Sequence, residues 1–176
     1  MTDLKIQDIN PDDYEDFSWA GKTFLAKASD VYDGDTFTST WIWNGQVIKQ
    51  RCRCVGYNSH EIRPRRNTRN REAVIEMAYR ARDRFTELLN QDDLIIVDCF
   101  QNDNFGRMLV VVYNVSNGEK SLNQIMLEEG HGLPYEGKRK CDPKLGDSCM
   151  TEEKIKSCSV LTEHVKNKRD SNCCIM

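Results

Sequence analysis

The sequence predicts an α+β, mainly β domain: a five-stranded barrel with two or three helices. Three observations predict it. Short β-rich runs, separated by turn signals, fill the first third of the chain. One long stretch of helical periodicity follows. Two further β-rich runs come after it.

Residues 1–20 are polar and acidic, with Tyr14, Phe17 and Trp19 scattered among them, and read as a tail. Residues 23–28 supply the first strand. Asp33-Gly34-Asp35-Thr36 comes next. Asp-Gly between two extended runs reads as a tight hairpin turn, with the glycine supplying positive φ. Asp35 then stands at the root of the second strand, residues 36–43. Asn44-Gly45 is a second hairpin signal. Residues 47–55 form the third strand. Its alternation places Lys49, Arg51, Arg53 and Val55 on one face, and Ile48, Cys52 and Cys54 on the other. Residues 56–70 read as a basic loop broken by Pro64.

Residues 71–90 read as a helix, because Val74, Ala78, Ala81, Phe85 and Leu88 make one apolar stripe. Residues 94–100 and 108–113 are the fourth and fifth strands, the last apolar on both faces. Asn117-Gly118 turns the chain. Ser121 then N-caps a short helix whose inner face is Leu122, Ile125 and Met126, and Gly130 ends it. Three meandering strands, a helix, then two strands is the element order of a Greek-key OB barrel. The expected division is an acidic tail over 1–20, the barrel domain over 21–137, a loop and C-terminal helix over 138–168, and a tail over 169–176.

A chain of 176 residues is enough for one domain with tails. With 39% hydrophobic and 30% charged residues it has a soluble, globular composition. No apolar run approaches the roughly 18 residues of a membrane span. The acidic N-terminus lacks the apolar core of a secretory signal, so an intracellular, reducing location is expected. The eight cysteines then read as mostly free thiols rather than a disulfide framework.

The net charge of −3 conceals an asymmetry. Residues 1–35 carry nine acids and three bases, whereas residues 49–84 carry eleven bases and four acids. That arginine cluster keeps nucleic acid open as a partner, where whole-chain charge would dismiss it.

Asp-Gly-Asp alone is an ordinary turn. Arg53, Glu61 and Arg107, each alone, are ordinary surface residues. Together they sketch a phosphodiesterase centre. Asp35, Asn58 and the Ser59 carbonyl offer oxygen ligands of the kind Ca²⁺ accepts. Glu61 is placed to orient or deprotonate a water. Arg53 and Arg107 can grip a phosphate and neutralise charge developing on it. The run Arg63-Pro64-Arg65-Arg66 beside them suits contacts to a substrate backbone.

Asp-Gly-Asp-Thr on a hairpin, Arg53-x-x-Gly56-x-Asn58-Ser59-x-Glu61, and Gly106-Arg107 entering a strand after the first long helix resemble the staphylococcal nuclease (thermonuclease) family. The resemblance covers about residues 22–137, including Gly130–Tyr135. It implies a Ca²⁺-dependent endonuclease that cleaves DNA and RNA to 3′-phosphate ends, with Mg²⁺ or Mn²⁺ as possible substitutes, and a monomer is expected. By resemblance, Asp35 is the metal-binding aspartate and Arg53 the first phosphate-gripping arginine. Ser59 lends its carbonyl to the metal, Glu61 positions the attacking water, and Arg107 is the second arginine. Tyr135 falls near a tyrosine that packs on the nucleotide.

Three departures stand out. The family's second metal-binding aspartate is Asn58, which removes one negative ligand charge. His60 replaces a proline. Asn104 and Phe105 replace a lysine and a tyrosine that contact a terminal phosphate. The alternative is a catalytically weak or inactive module, tethered to a membrane by its tail, that holds nucleic acid or a protein on the barrel face.

Two features lie outside the domain. Cys173-Cys174-Ile175-Met176 fits a C-a-a-X prenylation pattern, with Lys166, Lys168 and Arg169 upstream, which would bring peripheral membrane attachment. Cys141, Cys149, Cys158 and His164 are weighed as a zinc site against free thiols, and no C-x-x-C pair supports them.

Overall fold

A computed structural model describes residues 5–116 and 118–135. The region 138–168, the candidate zinc residues, the Cys173 motif and Asn117 of the expected turn lie outside the described residues.

Five strands close into a barrel in the order β1 (Thr23–Asp33), β2 (Thr36–Trp43), β3 (Gln46–Cys54), β6 (Met108–Asn114), β5 (Ile95–Asn102), and back to β1. All neighbouring pairs are antiparallel except β3 with β6, which run parallel. The expected α+β, mainly β barrel of OB type is the observed architecture.

Inward side chains fill the barrel: Phe37, Cys52, Cys54, Val97, Met108, Val110 and Val112 are buried. Cys52, Cys54 and Cys99 are free thiols among the described residues, and burial raises all three above the ordinary thiol range. Helix α1 (Arg71–Leu89) lays Ala78, Ala81, Phe85 and Leu88 against this core, and the Phe85 ring meets Phe37 edge-on at 5.7 Å. Ser121 caps α2 (Leu122–Glu128), its hydroxyl accepting from the Gln124 N–H. One buried amide fixes α2 to the barrel. Asn123 accepts from the Val112 N–H and donates to the Val55 and Val110 carbonyls. None of the described helices is long and apolar enough to cross a membrane.

Three expectations are corrected. Part of the presumed basic loop is a strand, β4 (Gly56–Ser59), which pairs antiparallel with β7 (Gly132–Tyr135). Four residues with a partner far along the chain give almost no local pattern, so sequence periodicity passes over them. The first strand does not stop at residue 28 but reaches Asp33, bending through a bulge between Ser29 and Asp33. Asp30 adopts φ 46° there, so a residue that looks like a turn is a kink within the strand. Asn44 and Gly45 do turn with positive φ, at 48° and 75°.

The third correction concerns Gly34, which is not at positive φ. A Cβ there would sit 2.8 Å from the Ala81 Cβ and 2.9 Å from the Ser59 Cβ. Glycine is needed because the hairpin presses on α1 and β4, not because the turn requires an unusual backbone.

The end of the N-terminal segment is fixed by aromatic contacts. Trp19 meets Phe24, Trp41 and Trp43 edge-on, with ring centroids 5.3 to 5.6 Å apart.

Candidate functional site

The site begins at the β1–β2 turn. Its backbone is held from two sides: the Tyr57 hydroxyl donates to the Gly34 carbonyl at 2.6 Å, and the Cys54 N–H donates to the Asp35 carbonyl at 2.8 Å. Asp35 is therefore placed by β3 and β4 together, and it is 2% exposed.

Both oxygens of its carboxylate accept hydrogen bonds. Oδ1 accepts from Arg53 Nη1 at 2.6 Å and from the Thr36 hydroxyl at 2.9 Å. Oδ2 accepts from the Ser59 N–H at 2.9 Å. The other end of the Arg53 fork donates from Nη2 to Asn58 Oδ1 at 2.8 Å. One guanidinium thus spans the two side-chain oxygens expected to be metal ligands. The Tyr135 ring lies 5.7 Å from the same guanidinium. Five predicted residues, Asp35, Arg53, Asn58, Ser59 and Tyr135, form one contact group.

Arg107 approaches from the β5–β6 loop. Its Nη1 reaches the Thr36 hydroxyl at 3.5 Å, a long contact. Its stronger bonds run to Asp103, from Nε and Nη2, both at 2.7 Å. The Asp103 carboxylate also accepts from the Phe105 and Arg107 N–H groups. Burial pulls the Asp103 carboxyl up, but the Arg107 and Phe105 donors outweigh it and hold the carboxyl below its ordinary value.

Asp33 was not singled out from sequence. It accepts from the Asp35 N–H at 3.2 Å. Burial, then the neighbouring Asp35 charge, raises its carboxyl to about 6. Burial also lowers the His60 imidazole.

The remaining predicted residues follow β4. Glu61 is exposed, two residues beyond Ser59, and Arg63, Arg65 and Arg66 are exposed in the loop leading to α1. Sequence reasoning missed Tyr57, Thr36 and Asp103 as positioning residues. Only the Asp103-to-Arg107 spacing, short and enclosing a glycine, carried a local signal for such a turn.

Among the described residues no three His, Cys, Asp or Glu side chains gather around a point. A metal would rest on one carboxylate, one amide oxygen, backbone carbonyl and water. That donor set is all oxygen. Asp35 Oδ1 and Asn58 Oδ1 already converge on a single positive charge, the Arg53 guanidinium. The donors therefore fit a hard cation such as Ca²⁺, with little negative charge to hold it.

A family model described as staphylococcal nuclease homologue matches residues 58–157, more than half of the chain. The match opens at Asn58 and includes Ser59, Glu61, Arg107 and Tyr135. Asp35 and Arg53 lie upstream of it, and its last residues lie beyond the described part. No curated protein matches the chain.

Proposed function

From the premise that this chain belongs to the staphylococcal nuclease homologue family, we propose that it is a metal-dependent endonuclease hydrolysing phosphodiester bonds of DNA or RNA. The observation that carries this reading is the pair of arginines set about one buried carboxylate. Arg53 is bonded to Asp35, and Arg107 reaches Thr36, the residue whose hydroxyl donates to that same carboxylate.

The chain's own residues take these parts. Arg53 and Arg107 bind the non-bridging phosphate oxygens and neutralise the charge that grows on them. The bonds to Asp35 and Asn58 use two of the five N–H groups of Arg53. Asp103 keeps Arg107 extended toward Thr36. Glu61 accepts the proton of the attacking water. As water oxygen bonds to phosphorus, the bond to the 5′ oxygen breaks, that oxygen takes a proton from solvent, and the products are a 3′-phosphate and a 5′-hydroxyl. Asp35, Asn58 Oδ1 and the Ser59 carbonyl would hold Ca²⁺, with Mg²⁺ or Mn²⁺ as substitutes, which when bound polarises the phosphate and the water. Tyr135, Arg63, Arg65 and Arg66 contact the substrate strand.

The test is cleavage of single-stranded DNA and of RNA in millimolar Ca²⁺, Mg²⁺, Mn²⁺ or chelator, with end-group analysis. Cleavage that needs metal and leaves 3′-phosphates is expected. Intact polymer under every metal would overturn the reading.

One observation favours a second reading, a binding module of low activity. Asn58 lacks the charge of a carboxylate ligand, and each terminal nitrogen of Arg53 already donates to an oxygen of the protein. Activity that emerges only in Asn58→Asp would select this reading.

A further inference from the structure

We propose that Tyr32, Arg51 and Phe105 form a stacking subsite for the bases of an unpaired nucleic-acid strand, beside the phosphate position at Arg107. The proposal deepens the nuclease reading and rests on it for the identity of the strand as substrate. Binding itself needs no cleavage.

Phe105 is 84% exposed at the tip of the β5–β6 loop, so it adds nothing to the core. Yet the loop holds it firmly. Its own N–H and that of Arg107 donate to Asp103 Oδ1, the Gly106 N–H donates to the Asp103 carbonyl, and Gln50 Nε2 donates to the Gly106 carbonyl at 3.2 Å. A rigid loop carrying an aromatic ring into water is a presented surface, not a frayed one.

Beside it lies a shallow depression of about 320 Å³, lined by Arg51, Phe105, Gly106 and Arg107. A second aromatic, Tyr32, is 50% exposed and stands against Arg51, whose guanidinium lies 5.0 Å from the ring centroid. Arg107 sits 5.5 Å from the Phe105 ring. Two exposed rings therefore alternate with two guanidinium groups. Arg51 shares its strand face with Arg53, so this surface runs on from the proposed centre. Two carboxylates of this region are already paired, Asp103 with Arg107 and Asp30 with Lys49.

Alternating cations and exposed rings are what an unpaired strand requires. Phosphates meet the cations while bases stack on the rings. A duplex keeps its base faces stacked inside and offers the rings nothing. A protein partner could also cover exposed aromatics, but it would not depend on bases.

The experiment measures anisotropy of a labelled oligothymidylate of about ten nucleotides in chelator, against an abasic strand of the same length. Wild type is expected to bind the base-bearing strand tighter by about tenfold or more. Tyr32→Ala/Phe105→Ala should bind more weakly and lose most of that preference, with the same salt dependence as wild type, whereas Phe105→Trp alone should keep it. Both rings are exposed, and thermal unfolding confirms that the variants fold. Indifference of wild type to the bases, or unchanged binding by the double variant, overturns the subsite. Cleavage is assayed separately. Base-dependent binding without cleavage leaves the subsite standing and removes the nuclease reading, whereas cleavage with base-independent binding does the reverse.

Discussion

Arg53 and Arg107 are proposed to grip the same phosphate, yet the protein holds them in opposite ways. Arg53 rises from the end of β3, 11% exposed in its side chain, and faces an Asp35 that is 2% exposed. Arg107 rises from a loop and is tied to an Asp103 four residues away, with 23% of its side chain exposed. The first arginine answers a charge that the fold has buried. The second is braced by its own loop. Folding and function therefore overlap at Arg53 and separate at Arg107.

The largest break in that comparison is Arg53→Ala. It leaves a buried carboxylate without its cation, and such losses cost about 3–5 kcal/mol. Chemical unfolding should register that loss together with abolished cleavage. Near-wild-type stability would mean that Asp35 is compensated from elsewhere.

Arg107→Ala should separate the two effects. Cleavage falls by about 10²- to 10³-fold, as for loss of one donor to a developing oxyanion. Stability should change by about 1 kcal/mol or less, because a local, partly exposed ion pair contributes little. Steady-state kinetics beside a melting curve tests both halves. A destabilisation equal to that of Arg53→Ala would erase the distinction drawn between the two arginines.

The smallest expected effect sharpens the loop side. Asp103 has its carboxyl held below the ordinary 3.8, so the folded protein binds fewer protons there than the unfolded chain. Its stabilisation is complete above the ordinary value and is lost as pH falls through the lower, folded one. The advantage of wild type over Asp103→Asn, about 1 kcal/mol or less, should thus be present near neutrality and shrink in acid. Unfolding curves at stepped pH measure it, and a difference that does not change with pH would exclude the carboxylate charge as its source.

Much of the barrel was legible because it is written in local patterns. The β2 boundaries, the Asn44-Gly45 turn and the α1 stripe each follow from residues within one element. The pairing of β4 with β7 was not, since its information lies in two short segments joined by tertiary contact. The bulge at Asp30 hid the end of β1, because an aspartate kink looks locally like a turn. At the site, the grouping of Asp35, Arg53, Asn58 and Ser59 was legible as a motif, and so was the approach of Arg107 to the same turn. Their supports were not. Tyr57 holds Gly34 through a hydroxyl that no pattern announces, and the tight packing of Gly34 on Ala81 depends on a helix placed by the whole core. Phe105 was noticed only for the contacts it lacks, since its place beside Arg51 on one depression requires the barrel.

The parallel seam between β3 and β6 has a consequence in time. Cys52 pairs with Met108 and Arg53 with Leu109 along it, so the residue beside Arg107 and Arg53 itself are both stitched into the same short contact. A pairing between segments so distant in sequence is slow to form, because the chain between them must be ordered before the contact rewards it. The two arginines are therefore brought together only when the barrel shuts. A molecule that has its hairpins and helices but an open seam would hold most of its secondary structure and the Asp35–Arg53 pair, without Arg107 beside them. Function would then arrive late in folding, and it would be the first thing lost when the barrel parts.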